Sequence, residues 1–467
     1  MGNDRSEAYL YINENLARGK YIALSHCWGG KKSLYTSKKT LNMHTRGIPF
    51  SRFPKTFQDA ILICRELGVD YLWIDSLCII QDSEEDWALQ AARMTDVYSN
   101  SWITIAADAA INGNEGFIND ERRKIKVKRF KCPGPGTQDS EVCIRKKGSG
   151  LRDSFNHHCW TGPTRSPLSL RGWVLQESVL APRILHFTAE ELTWECNTQS
   201  QCECQVQPHH FSSELPIKAY INQLPFRKKW SLLVDEFSER DLSFQTDRLP
   251  AISGLAMWMQ KSTNASYWAG LWSDEFPEAL LWWVLDRKKD VKASRCISKR
   301  ILPYQAPTWS WASVTGRVLL SLCSDRITPD LENMRVELVP ASGNLYGSLR
   351  SAQLSAKAYL ISVRVSNEPG QDGEYVGYDF HVISESAVDG GKLTAPVVPD
   401  IQGDEYDINI HQLHFVLIVG HASNSAHCIL LRNAQQAVEK YERVGYLHQV
   451  PYEKWLGIAT AHDLTLV

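Results

Sequence analysis

The chain has 467 residues, of which 43% are apolar and 22% charged, with a formal net charge of -2. That balance excludes a disordered or fibrous chain and gives no electrostatic support for nucleic-acid binding. The length exceeds one comfortable hydrophobic core, so two or three domains are expected.

No window reaches the apolar run that a membrane span needs, and no basic segment leads into an apolar stretch at the start. A cytoplasmic protein without a membrane span is therefore expected. Twelve cysteines scattered irregularly suit reduced thiols better than a disulfide framework. Sixteen tryptophans are many, and clusters such as Trp268, Trp272, Trp282 and Trp283 read as packing rather than as a ligand cage.

In chain order, Tyr21 to Ser25 (YIALS) reads as a short buried strand. Phe57, Ile61, Cys64 and Leu67 then recur at helical spacing behind Pro54, and Gly68 ends that helix. Tyr71 to Asp75 (YLWID) is a second strand. Trp87, Ala91, Met94 and Tyr98 mark one face of a second helix, with Ser83 and Asp86 placed as a capping arrangement at its start. Trp102 to Ala106 (WITIA) is the third strand. Consecutive β-α-β units of this length cross over right-handed, so the three strands should lie parallel in one sheet.

From about 111 to 165 the chain turns rich in Gly, Pro and charge, as an insertion would. Its basic run, Arg122 to Lys131, alternates with Ile125 and Val127 like a solvated edge strand. A second block from 168 to 196 holds a helix over Arg171 to Glu177 and strands at Arg183 to Phe187 and Leu192 to Glu195. Residues 225 to 285 look helical, and beyond Pro303 β-branched runs between turn clusters predict a largely β domain. The expected domains are 1–200 with the insertion, a helical linking region over 201–300, and a β-rich region over 301–467.

In an open parallel sheet, ligands meet the crevice outside the carboxyl ends of the strands. Ser25, His26 and Cys27 follow the first strand, Asp75, Ser76 and Cys78 the second, and Asp108 the third, so these groups should gather at one edge. An imidazole beside a thiol and a carboxylate is a workable nucleophile and base set. His26 and Cys27 are neighbours whose side chains point to opposite faces, which makes Cys78 the easier partner for His26. A small buried apolar role is the plainer reading of either thiol.

Asp82 stands before the second helix, where a cap-region role competes with a functional one. Glu177 follows Trp173 and Leu175, and a carboxylate among aromatic surroundings gains proton affinity useful in acid-base work. Its alternative role is an ion pair with Arg171 or Arg183. Cys196, Cys202, Cys204, His209 and His210 invite zinc, but their spacing does not supply two ligand pairs, and no metal is expected. The best-defined nucleotide-loop and zinc-hydrolase signatures, G-x-G-x-x-G, G-x-x-x-x-G-K-[ST] and H-E-x-x-H, do not occur.

YIALSHCWG (21–29), PKTFQDAILICRELGVDYLWIDSLCIIQDSEEDW (54–87), MTDVYSNSWITIAA (94–107) and RGWVLQE (171–177) come in order. Together they resemble the fungal heterokaryon-incompatibility (HET) domain family. DRLPAISGLA (247–256), YWAGLW (267–272) and APTWSWASVTG (306–316) resemble segments that follow the HET domain in a large fungal subgroup. The chain begins shortly before YIALS, so the leading strand region of many members is short or absent, and Asn-Ser-Trp stands at 100–102 where small residues are usual.

The resemblance implies a parallel-sheet α/β domain distantly similar to TIR and flavodoxin-like folds. It implies a role in nonself recognition, with a protein partner in incompatibility signalling and cell death as the outcome. Some TIR domains cleave NAD with a glutamate, so NAD is implied as a substrate rather than a bound cofactor. Candidate catalytic residues are His26, Asp75, Cys78 and Glu177, with Asp82 a further carboxylate candidate. Ser25, Cys27, Trp28, Gln81, Asp82, Trp173 and Gln176 are the candidate ligand-binding positions. Two rivals stand beside this: a metabolic catalyst using a His/Cys/Asp site, and a non-catalytic interaction scaffold.

Overall fold

The computed structural model describes residues 7–13, 18–30, 34–118, 128–132, 140–144, 166–189, 191–203, 217–285, 298–320, 327–341, 343–366, 381–384, 393–401, 408–409, 412–434 and 439–467. The chain divides into two compact units, Met1–Leu224 and Pro225–Val467.

The first unit runs β1 (Tyr21–Ser25), α1 (Leu41–His44), α2 (Lys55–Glu66), β2 (Tyr71–Ile74), α3 (Asp75–Cys78), α4 (Glu84–Ser99) and β3 (Ile103–Ala106). It continues with β4 (Lys128–Cys132), β5 (Ser140–Ile144), α5 (Gly172–Leu180), β6 (Arg183–Phe187), β7 (Leu192–Cys196), β8 (Ser200–Cys202) and α6 (Ile217–Gln223). Sheet order is β2-β1-β3-β6-β7-β8. The first four strands are mutually parallel, and β7 and β8 turn back antiparallel. The basic run ends in β4, which pairs antiparallel with β5.

Local chemistry explains these elements. In α2, Phe57, Ala60, Ile61 and Cys64 fall on one face, and that face is buried against Ile22, Leu24, Ile74, Ile103 and Ile105 of the sheet. Burying a ring such as that of Phe57 contributes roughly 1.5–3 kcal/mol. Gly68 follows α2 at φ +62°, as a helix-ending glycine does. The Ser83 hydroxyl accepts from the Asp86 amide at 3.5 Å, and three acids occupy the first turn of α4, where the helix dipole favours them. The second strand is one residue shorter than its sequence suggests, because Asp75 opens the single turn of α3.

In the second unit, α7 (Phe226–Ser238) and α8 (Pro250–Gln260) are helical as read, but the rest of 225–285 is not. There the chain makes the two-residue strands β9 (Tyr267–Trp268) and β10 (Leu271–Trp272), 3₁₀ turns, and β11 (Trp283–Val284), which pairs with β12 (Val318–Leu319). Ala269 and Gly270 both have positive φ, which suits the two-residue hairpin joining β9 to β10. The Gly270 carbonyl accepts from the indoles of Trp230 at 2.9 Å and Trp311 at 2.8 Å. A Cβ at Gly270 would lie 2.7 Å from Trp311 Nε1, so glycine is required there on two counts. Trp272 and Trp282 are fully buried and Trp268 and Trp283 partly so, which is packing rather than a cage.

The remaining elements are β13 (Thr328–Pro329), β14 (Glu332–Pro340), β15 (Leu349–Ser366), β16 (His381–Ser384), β17 (Leu393–Pro399), β18 (His414–Ala422), β19 (Ser425–Asn433), β20 (Lys440–Pro451), α9 (Tyr452–Leu456) and β21 (Thr460–Leu466). Antiparallel pairing runs β15-β18-β19-β20-β17-β16 and returns to β15, closing six strands into a ring. Val363, Val382, Val397, Val416, Ile418, Leu430 and Leu447 belong to one buried cluster, which Trp455 of α9 joins. Closure removes the free edges that an open sheet would expose.

Candidate functional site

The register of the parallel strands fixes what meets at their carboxyl ends. Leu24 lies beside Ile74, and Ser25, Ala106 and His186 lie in line across β1, β3 and β6. The next residues therefore emerge together: His26, Cys27 and Trp28 after β1, Asp75 and Ser76 after β2, and Asp108 after β3.

Asp75 is the hub of one half of this rim. Its Oδ2 accepts from the Trp28 indole at 2.7 Å, and its Oδ1 accepts from the Ser76 amide at 2.6 Å and stands 3.7 Å from His26 Nδ1. His26 is buried, set edge-on to Phe57 of α2, and burial pulls its pKa down to about 4 against the attraction of Asp75. At neutral pH it is an uncharged imidazole. The Trp28–Gly29 turn depends on the glycine: φ is +73°, and a Cβ there would meet Asn112 Cβ at 2.4 Å.

Glu177 of α5 is the centre of the other half. Ser25 Oγ donates to its Oε2 at 2.5 Å and Tyr98 of α4 donates to the same oxygen at 3.0 Å. Among the described residues none donates to Oε1. Burial raises the Glu177 pKa, while the Arg171 charge and the Ser25 hydrogen bond pull it back. Neither arginine weighed as its ion-pair partner plays that part: Arg171 donates to the His26 carbonyl, and Arg183 donates to the Trp102 carbonyl. Tyr98 was not singled out as a site residue. Its only signal in the sequence is a phenol on the apolar face of a helix, where the hydroxyl needs a buried acceptor.

The other candidates divide. Cys27 faces away from His26, in a cluster with Ala106, Leu168, Val174, Ala181 and Ile184. Burial pushes both the Cys27 and the Cys78 thiols up to about 11. No hydrogen bond joins either to His26, so no activated thiol and imidazole pair exists among the described residues. Gln81 donates to the carbonyls of Asp75 and Ile79, and Asp82 accepts from the Lys38 amide at 2.7 Å; both tie down the loop ahead of α4. Gln176 is fully buried. Trp173 lies at the start of α5, edge-on to the exposed Trp87 of α4 with ring centroids 6.4 Å apart.

A second buried polar group went unread in the sequence. His186 Nδ1 lies 2.8 Å from Asp108 Oδ2, and its Nε2 lies 3.6 Å from Glu195 Oε2. Burial opposes charge on the ring, but the two carboxylates outweigh it and hold the His186 pKa up at about 10. Lys218, buried nearby, is lowered to about 8 by burial against the pull of Glu195. Of the cysteines and histidines weighed for zinc, Cys204, His209 and His210 lie outside the described residues. Among the described residues no three His, Cys, Asp or Glu side chains form a metal-sized group, and no helix is long and apolar enough to cross a membrane.

No curated protein and no solved structure matches the chain. Residues 21–177, which carry the rim from Ser25 to Glu177, match the family described as Heterokaryon incompatibility protein (HET).

Proposed function

We propose that the first unit is the effector of a fungal nonself-recognition response, triggered through a protein partner in the cytoplasm. It acts through Glu177 by hydrolysing a nucleotide such as NAD at its glycosidic bond. The observation that carries this reading is the Glu177 carboxyl, buried at the strand ends with two hydroxyls fixed on one oxygen and the other oxygen unbonded among the described residues. A carboxyl held in that way can orient a ribose hydroxyl and stabilise the positive charge that develops as nicotinamide leaves with the bonding electron pair. Asp75, linked to Trp28 and close to His26, supplies a second carboxylate at the same rim.

The parallel strand order β2-β1-β3-β6 supports the distant TIR and flavodoxin-like likeness, because that doubly wound order places ligands at the junction of its first and third strands. Ser25 and His26 stand at that junction. The rival route through Cys27 or Cys78 draws no such support, since a thiol raised to about 11 is protonated at neutral pH.

The test is nicotinamide release from NAD by the full chain. Glu177→Gln should reduce it by roughly a hundredfold or more, the usual scale for a lost acid-base group. Asp75→Asn should reduce it less. Intact NAD at high protein concentration, or full activity in Glu177→Gln, would overturn the reading and favour the interaction scaffold.

A further inference from the structure

At the rim is a narrow cleft lined by His26, Trp28, Leu34, Tyr35, Phe57 and Ser76, among others. The room in it for the centre of a water-sized sphere is about 10 Å³. That is the space of a single water and far less than a sugar or a base needs.

Two polar atoms among its lining residues are unsatisfied. His26 Nδ1 and Ser76 Oγ are both buried, in residues 3% and 4% exposed, and neither has a hydrogen-bond partner among the described residues. A buried polar atom left in that state costs free energy, and one in a native fold calls for a specific cause. Asp75 Oδ1 is 3.7 Å from Nδ1, too far for a direct hydrogen bond and a separation at which a bridging water is the first explanation. Apolar walls from Phe57 and Leu34 account for the small size of the cleft, and its polar atoms account for why it would be wet.

We propose that this cleft is a binding site for one water molecule, or for a hydroxyl group of that size. The occupant is held by His26 Nδ1 and Ser76 Oγ, with Asp75 Oδ1 within reach. Three partners are what a buried water ordinarily finds. The bound water completes the hydrogen bonding of His26 and couples the imidazole to Asp75 without a direct ion pair. It also gives the rim a positioned water beside a neutral base. The site stands whether or not the chain cleaves a nucleotide.

The experiment is a high-resolution crystal structure of the full chain, together with magnetic relaxation dispersion of the solvent oxygen, which counts long-lived internal waters. A solvent peak within hydrogen-bond distance of both His26 Nδ1 and Ser76 Oγ is expected, and Ser76→Val, which fills the cleft with methyl groups, should lower the internal-water count by one. A cleft without density, or Nδ1 bonded directly to Asp75, overturns the proposal. So does an unchanged count in a folded Ser76→Val. If the valine variant does not fold, the native structure decides alone. An ordered water in a chain that leaves NAD intact would fault the hydrolase reading and leave this site in place.

Discussion

Glu177 is buried in a setting that favours its protonated form, and the two hydroxyls that reach it work in the other direction. Tyr98→Phe removes one of them without opening a cavity. Because the Tyr98 hydrogen bond lowers the Glu177 pKa, its loss should raise that pKa further, and a carbon NMR titration of the labelled carboxyl would read the shift. Stability should fall by about 1–2 kcal/mol, the usual effect of one lost buried hydrogen bond, measured by urea unfolding. A titration unchanged in Tyr98→Phe would mean that the Tyr98 hydroxyl adds nothing to the proton affinity of the carboxyl beyond what burial, Arg171 and Ser25 set. The cysteines give a separate test. Burial tends to raise the Cys196 thiol, but the Thr198 hydroxyl, the amides of Thr198 and Gln199 and the Trp194 side chain outweigh it and lower its pKa. Cys27, Cys64, Cys78 and Cys428 are all raised by burial. Among these five, mapped alkylation at mildly alkaline pH should find Cys196 modified first.

At the scale of elements, the rim depends on two connections that the sequence marks with glycine. Gly29 turns the chain after Trp28 against Asn112, and Gly116, at φ +72°, brings the chain back onto α2. There Asp59, fully buried, accepts from the amides of Phe117 at 2.7 Å and Ile118 at 3.1 Å and pairs with Lys55. Asp59→Ala leaves two amides without their acceptor and should cost about 2–4 kcal/mol. Gly29→Ala combines a forbidden contact with a strained φ, and it should destabilise the fold and disturb the Trp28 to Asp75 hydrogen bond, which indole NMR would report. If Gly29→Ala matched the parent in both measures, the turn would not be what positions Trp28. These elements were legible in the sequence because their signals are local: apolar periodicity for α2, Ser83 and Asp86 for the start of α4, short β-branched runs for β1 and β3. Tyr98, Arg171 and His186 were not legible as site residues. Each acts through a partner 79, 145 or 78 positions away, and no local pattern carries that pairing. The helical reading of 225–285 failed over 267–284 for a related reason, since the Ala269–Gly270 hairpin is held by Trp230 and Trp311 from distant parts of the chain.

For the molecule as a whole, the sequence reads as an α/β unit followed by a β-rich one because strand and helix periods differ, but the closing of six strands into a ring depends on which strands find each other, and alternation alone does not encode that. Buried charge is likewise a property of the assembled fold, and it makes a prediction about pH. His26 has its folded pKa lowered from 6.5 to about 4, so its contribution to stability is present above 6.5 and is lost as pH falls through 4. His186 has its folded pKa raised from 6.5 to about 10, so its contribution is present below 6.5 and is lost as pH rises through 10. The two histidines therefore press stability down from opposite sides of neutrality, each by at most about 1.4 kcal/mol per pH unit. Lys218, lowered from 10.5 to about 8, works against His186 between 8 and 10, and Glu177, raised from 4.5, works against His26 on the acid side. Differences between parent and variant separate the two histidines from these opposing groups. Urea midpoints should show His26→Gln flattening the acid limb alone and His186→Gln flattening the limb that begins above 6.5 alone. Parallel curves for parent and His186→Gln would mean that the ring is not held charged between Asp108 and Glu195, and the ion pair drawn from their geometry would fall with it.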